Sequence, residues 1–196
     1  MLERIERQVQ FLVELDKVKR IVRRTPLADG SRCENDAEHS WHMSVWAMVM
    51  AEHVPQPVDL GKVVRMCLVH DVVEIDAGDA PAYDAAAQVG KEQREQRAAQ
   101  RIFGILPADQ ARDLRALWEE FEAGQTPEAK MAVAVDRIQS VVNNFHADCM
   151  GWRHDGVKAS QVMGRIEPAR VIAPKLWEYA RDVVCQAAGK GWLAQD

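Results

Sequence analysis

Along most of this chain apolar residues recur every three or four positions, the period of an α-helix with one buried face. From about Glu3 to Val22, Ile5, Val9, Phe11, Leu12, Leu15, Val18 and Val22 define one broad apolar face. Arg23 to Cys33 breaks the period with Pro26, Asp29, Gly30 and Ser31, and reads as a loop. Asn35 or Asp36 can then N-cap a second helix, and Glu38 stands three residues after Asn35, where a capping-box acid belongs. That helix runs to about His53, where Val54-Pro55-Gln56-Pro57 stops it. A third helix starts near Asp59 or Leu60 and carries His70 and Asp71, with Gly78 and Pro81 marking the loop beyond. Gln88 to Phe103, rich in Glu, Gln, Arg and Ala, predicts a helix with a solvated face. Pro107 opens another helix, ending near Glu122. Thr126-Pro127 starts the next, with Thr as N-cap and Pro in the first turn, and it reaches about His146. Gly151 to Ser160 reads as a loop, and a last helix covers roughly Pro174 to Ala188. No strand pattern and no solenoid-length repeat emerges. The expectation is one all-α domain of about seven helices spanning residues 1–196.

Composition narrows the class. At 47% hydrophobic residues over 196 positions, the chain can bury a core without disulfides. A net charge of -5, with both signs mixed, excludes a broad nucleic-acid-binding surface but leaves room for a local basic pocket. Cys33, Cys67, Cys149 and Cys185 form no CxxC pair and read as reduced thiols. The N-terminus is charged from its third residue, and no apolar run approaches the ~18 residues of a membrane span. These features predict a cytoplasmic protein with no membrane partner and no nucleic-acid polymer partner.

The chemistry concentrates in a few polar residues set among apolar ones. His70-Asp71 interrupts an apolar stretch that begins at Val63, and buried polar groups there need a partner or a bound ion. Glu74 follows one helical turn after His70. His39 lies near the start of the second helix, and Asp136 interrupts Met131-Ala132-Val133-Ala134-Val135. Each has an ordinary reading on its own. His39 can be a hydrogen-bonded histidine at a helix start, Asp136 can pair with Arg137, and His42 rivals His39 on the same face. Together, on three helices, they read as a metal site inside a bundle. Imidazole with carboxylate suits Mn, Fe, Co, Ni or Zn better than Ca.

The order His39, His70-Asp71, Asp136 resembles the HD-domain metal-dependent phosphohydrolases, in particular the small single-domain branch related to bacterial 5'-deoxynucleotidases. The likeness rests on Glu34-Asn35-Asp36-Ala37-Glu38-His39-Ser40, on His70-Asp71-Val72-Val73-Glu74 through Gly78-Asp79, on Leu117-Trp118-Glu119-Glu120-Phe121-Glu122, and on Pro127-Glu128-Ala129-Lys130 leading to Asp136-Arg137. It implies that His39, His70, Asp71 and Asp136 hold one divalent transition metal (Co, Mn, Ni, Fe or Zn). Glu74 then orients or deprotonates the attacking water, Arg24 holds a 5'-phosphate, and Asp79 meets the sugar. The implied reaction is hydrolysis of the phosphomonoester of a small nucleotide by a homodimer. A phosphodiesterase, a nucleoside di- or triphosphate hydrolase, or a non-catalytic nucleotide-binding module are the other readings of the same residues. Thr25 stands where relatives can carry a bulky aromatic, which sets this chain's substrate loop apart.

Overall fold

The computed structural model describes residues 2–196. In chain order the elements are α1 (Leu2–Leu15), β1 (Val22–Pro26), β2 (Cys33–Asn35), α2 (Asp36–Met50), α3 (Leu60–Val69), α4 (Glu74–Ala77), α5 (Ala85–Gln88), α6 (Lys91–Phe103), α7 (Ala108–Ala123), α8 (Pro127–His146), α9 (Met150–Asp155), α10 (Ala159–Ile166), α11 (Ala169–Ile172) and α12 (Pro174–Gly189). Short 3₁₀ turns occupy Asp16–Arg20, Ala51–His53 and His70–Val73. The class is all-α.

The bundle is organised around α8, which packs on α2, α3, α7, α11 and α12. Met131, Ala132, Val135, Ile138, Val141 and Val142 are buried, as are the polar Asp136, Gln139, Asn143 and Asn144, so this helix is enclosed on most sides. That is the pattern of a central helix rather than a surface one. A second core cluster joins Phe11 of α1 to Val72, Val73, Ala99, Ile102, Phe103 and Trp118. It presses the His70–Val73 turn against α6 and α7.

Four features differ from the sequence expectation. The first helix ends at Leu15, and Asp16–Arg20 is 3₁₀. Leu15, Val18 and Ile21 are spaced three apart, a period that suits a 3₁₀ turn as well as an α-helix, so periodicity could not mark the end. Much of the α1 apolar face is uncovered, with Ile5, Val9 and Leu12 at least half exposed. The stretch expected to be a loop instead contributes an antiparallel ribbon, pairing Val22 with Asn35 and Pro26 with Cys33. Its strands are short and mostly polar, hence invisible to an alternation test. Beyond α8, α9 and the start of α10 occupy the stretch 151–160 expected to be a loop, and α10 and α11 bury only Val162, Ile166, Ala169 and Ile172. Segments that short carry too few apolar positions to register as periodic. No helix among the described residues is long and apolar enough to cross a membrane.

Candidate metal centre

The start of α2 is fixed by a full capping box. Asn35 Oδ1 accepts from the Glu38 backbone N–H at 3.0 Å, and Glu38 Oε2 accepts from the Asn35 N–H at 3.0 Å. The cap sets the helix phase so that His39, in the next turn, points into the core with no exposure. At the far end of α3 the backbone tightens into the 3₁₀ turn, and His70 and Asp71 both lie within it. The backbone carbonyl of Cys67 lies 2.9 Å from His70 Nδ1, which places the ring proton there and leaves Nε2 as a lone pair facing inward. The Phe121 ring packs on His70 with centroids 4.7 Å apart. Asp136 projects from the middle of α8.

These side chains converge. His39 Nε2 is 3.2 Å from Asp136 Oδ1 and 3.9 Å from Asp71 Oδ2. His70 Nε2 is 3.0 Å from the same Asp71 oxygen. Ligand atoms of His39, His70 and Asp136 all lie within 4.8 Å of one another, the spread expected around one small ion. His39 Nε2 and His70 Nε2 are buried without an aligned hydrogen-bond partner. Two buried imidazole nitrogens beside two carboxylates form a donor set that fits a divalent transition metal.

A second buried group adjoins the first, in which Asp36, Asp71 and Glu74 bring carboxylate oxygens within 4.8 Å of one another. Arg23 reaches into it from β1. Its Nη1 lies 2.6 Å from Asp71 Oδ2 and 3.3 Å from Asp36 Oδ1, and its Nε lies 3.6 Å from Glu34 Oε1. Glu34 in turn faces His39 Nδ1 at 3.2 Å. It also accepts from Gln139 Nε2 at 3.2 Å and Asn143 Nδ2 at 3.4 Å.

Charge is unevenly distributed in this cluster. Burial opposes ionisation of Asp71 and Asp136, but His70 and Arg23 hold Asp71, and the hydrogen bond with His39 holds Asp136, below the usual carboxylate range. Burial and Arg23 oppose a proton on His39, yet Asp136 and Glu34 raise it to about 9. Burial, then the charges of Asp71, Asp36 and Asp79, push Glu74 up to about 11. Burial and Asp71 push Asp36 up to about 7 despite Arg23. Without a divalent cation, Glu74 therefore keeps its proton at neutral pH. A nearby cation has the opposite effect and draws it back toward the carboxylate.

Arg23, His70, Asp71, Glu74 and Asp136 form the floor of a cleft of about 530 Å³. Arg24, Thr25, Asp79, Tyr83, Glu122 and Arg165 line its walls. The structure thus brings His39, His70, Asp71, Asp136 and Glu74 together and sets Asp79 and Arg24 on the cleft above them. Burial along β1 alternates, so Arg23 turns inward while Arg24 is 63% exposed, 3.8 Å from Asp155. His42 does not join the cluster. Its Nε2 accepts from the Trp46 indole at 3.0 Å. Trp41 points to solvent, and His154 is exposed beside Asp155.

Arg23, Glu34 and Asp36 are the residues that sequence reasoning missed. Glu34 and Asp36 stood in plain view inside the Glu-His-Ser stretch, but nothing in their spacing announced burial. Arg23 was masked by the basic run from Lys17 to Arg24. A strand assignment there would have placed Arg23 and Arg24 on opposite faces.

Fold and site together define a helical-bundle protein with a buried histidine–carboxylate cluster open to a cleft. The HD domain family model matches residues 15–177, and the chain belongs to the HD domain family. It is similar to 5'-deoxynucleotidase HDDC2 of Homo sapiens, with 31% identity over 135 residues, covering 68% of this chain and 65% of the human protein. The match therefore spans just under two thirds of that relative's length. 5'-deoxynucleotidase hdd1 of Schizosaccharomyces pombe is 25% identical over 142 residues, covering 70% of each chain. Among solved structures, a "predicted metal-dependent phosphohydrolase" from Magnetospirillum magnetotacticum MS-1 superposes with a TM-score of 0.94 at 45% identity, covering 98% of this chain and 96% of that one. The PH0347 protein of Pyrococcus horikoshii OT3 shares the fold, with a TM-score of 0.67 at 18% identity, covering 92% of this chain and 98% of that one.

Proposed function

We propose that this chain, as one HD-type domain over residues 1–196, is a metal-dependent phosphohydrolase that removes the phosphate of a small nucleotide, in the manner of a 5'-nucleotidase. The observation that carries the reading is Glu74. It is a buried carboxyl on the cleft floor, in one cluster with Asp71, beside a two-histidine, two-carboxylate donor set. A protein that only stored metal would have no use for a further acid at that place.

His39, His70, Asp71 and Asp136 would hold one divalent transition ion, which when bound would supply positive charge for a phosphoryl oxygen and acidify water. Glu74 orients the attacking water and takes its proton as the oxygen adds to phosphorus. Arg24, on the cleft wall, offers a planar pair of donors to the remaining phosphate oxygens. The phosphorus–oxygen ester bond breaks, the leaving oxygen takes a proton from solvent water so that the nucleoside departs as an alcohol, and Glu74 returns its proton to solvent. Asp79, half-buried on the same wall, accepts a hydrogen bond from the sugar. The relatives named 5'-deoxynucleotidase support a nucleotide substrate. Thr25 is a small side chain next to Arg24 on the wall, which supports a broader base and sugar tolerance.

The test is phosphate release from a panel of nucleoside monophosphates and sugar phosphates under each of Co, Mn, Ni, Fe and Zn. Wild type should release phosphate from at least one nucleotide, and Asp71→Ala and Glu74→Ala should not. Release by either variant at the wild-type rate refutes the mechanism. Nucleotide binding without product under every metal favours a non-catalytic module instead.

We further propose a homodimer working in the cytoplasm. The uncovered apolar residues Ile5, Val9 and Leu12 of α1 and Trp41 and Met48 of α2 support self-association. Four free cysteines support a reducing compartment. Light scattering on Val9→Glu should show a shift toward monomer. A wild-type chain that is already monomeric refutes the dimer.

A further inference from the structure

We propose that Arg23 is the resident cation of the acidic half of the centre, and that it limits this centre to a single divalent ion. The proposal rests on the reading of His39, His70, Asp71 and Asp136 as the metal site, and goes beyond it.

The acidic half has the makings of a second cation site. Asp36 is fully buried and Glu74 is 6% exposed, and with Asp71 they present oxygens within 4.8 Å of one another. Asp36 Oδ2 and Glu74 Oε2 are both buried and have only the neighbouring carboxyls to face. Carboxylates so placed need a proton or a cation. Asp71, a member of the acidic group, also adjoins the histidine group, since one oxygen faces His39, His70 and Arg23 at once. A bridging carboxylate with unsatisfied acids on its far side is an arrangement that can hold two ions.

Arg23 stands in that space. Its guanidinium already touches two of the three acids, Asp71 at 2.6 Å and Asp36 at 3.3 Å, and Glu34 holds its Nε side at 3.6 Å. A guanidinium stays charged at any accessible pH, so this cation cannot leave by losing a proton. Its backbone is held in the β1–β2 ribbon, and the side chain is only 12% exposed. A second divalent ion among Asp36, Asp71 and Glu74 would have to displace it or sit against a like charge in a buried site. His39, His70 and Asp136 approach from α2, the 3₁₀ turn and α8, and Arg23 meets the first ion's donor set by an ion pair at Asp71 alone. Arg23 is therefore a specificity-determining residue for the number of ions. It neutralises the acids that a second ion would need and leaves the histidine side open.

The experiment counts ions. Full-length wild type, Arg23→Ala, Arg23→Gln and Arg23→Ala/Asp36→Asn are equilibrated with excess Mn²⁺ and stripped of free ion by gel filtration. Metal per chain is read by plasma mass spectrometry, and electron paramagnetic resonance distinguishes an isolated Mn²⁺ from a coupled pair. Wild type should retain one equivalent with an isolated-ion spectrum. Arg23→Ala should retain two with a coupled-pair spectrum, and the double variant should return to one. Arg23→Gln keeps a donor for Asp71 without the charge and carries the same expectation of two, should the alanine chain not fold. Two equivalents in wild type, or one in a folded Arg23→Ala or Arg23→Gln, overturns the proposal. A wild type that retains no ion refutes the metal-centre reading itself, whereas one ion in every chain refutes only the role of Arg23.

Discussion

Glu34→Gln tests how the centre is held in position. Glu34 is 1% exposed and sits behind His39, its Oε1 3.2 Å from Nδ1. With the ring turned this way, His39 Nε2 faces Asp136 at 3.2 Å. The other Glu34 oxygen takes donors from Gln139 and Asn143, so the carboxylate is braced on two sides. A glutamine of the same size keeps only one acceptor oxygen. Its amide must then turn a donor toward either the His39 N–H or the Gln139 and Asn143 amides. Outer partners of metal-binding histidines are worth about 10–100-fold in affinity. Because the His39 contact at 3.2 Å lacks hydrogen-bond alignment, the low end applies, about tenfold or ~1.4 kcal/mol. Calorimetric titration of Mn²⁺ into both chains at neutral pH measures this, with thermal melts confirming an intact fold. An affinity within twofold of wild type refutes the positioning role. A loss as deep as that of His39→Ala would make Glu34 a ligand rather than a brace.

Other perturbations probe the surroundings. In Gly151→Ala the new Cβ would meet the Arg24 carbonyl oxygen at 3.0 Å and Asn144 Oδ1 at 3.2 Å, shifting β1. KM for the nucleotide should rise severalfold with kcat little changed, and an unchanged KM argues against Arg24 as a phosphate contact. Phe103→Ala empties a site that is 1% exposed in the second core cluster, and urea melts should show a loss of about 3–5 kcal/mol. A loss below about 1 kcal/mol would mean that α6 does not brace the His70–Val73 turn. The Glu14 carboxyl is held below its ordinary range by Lys17 and then Arg101, so its stabilisation is present above the unfolded-state value and lost as pH falls through the folded one. Glu14→Gln should cost about 1 kcal/mol at neutral pH. The gap to wild type should narrow as pH falls below the ordinary glutamate range, and a gap that stays constant through acid refutes the linkage.

The long helices were legible because they carry their own punctuation. Asn35 with Glu38, Thr126-Pro127 and Gly124 mark starts and stops through local chemistry, and α2, α7 and α8 fall close to where those residues put them. His70, Asp71 and Asp136 were legible because each breaks an apolar run, which few residues do without cause, and His39 because it sits in the Glu34–Ser40 motif at a capped helix start. The ribbon was not, since a five-residue strand reading Val-Arg-Arg-Thr-Pro shows no apolar alternation and owes its pairing to the chain returning at Cys33–Asn35. Arg23 was lost with it. Whether an arginine is solvated or buried among three acids depends on contacts that sequence spacing does not encode. The short helices after α8 were likewise missed, because segments of eight residues or fewer hold too few turns for a periodic pattern to be read.

His39 lies on α2 and Asp136 on α8, with nearly half the chain between them. An ion bound there works as a reversible cross-link closing a very long loop. In the unfolded chain its donors are too dispersed to bind as a set, so loading favours the native state by mass action, about 2.7 kcal/mol at a hundredfold excess over Kd. That is a sizeable share of the 5–15 kcal/mol typical of a domain. Ion supply would then govern how long the protein survives proteolysis as well as how fast it turns over, and a chelator would shorten its lifetime before any substrate is present.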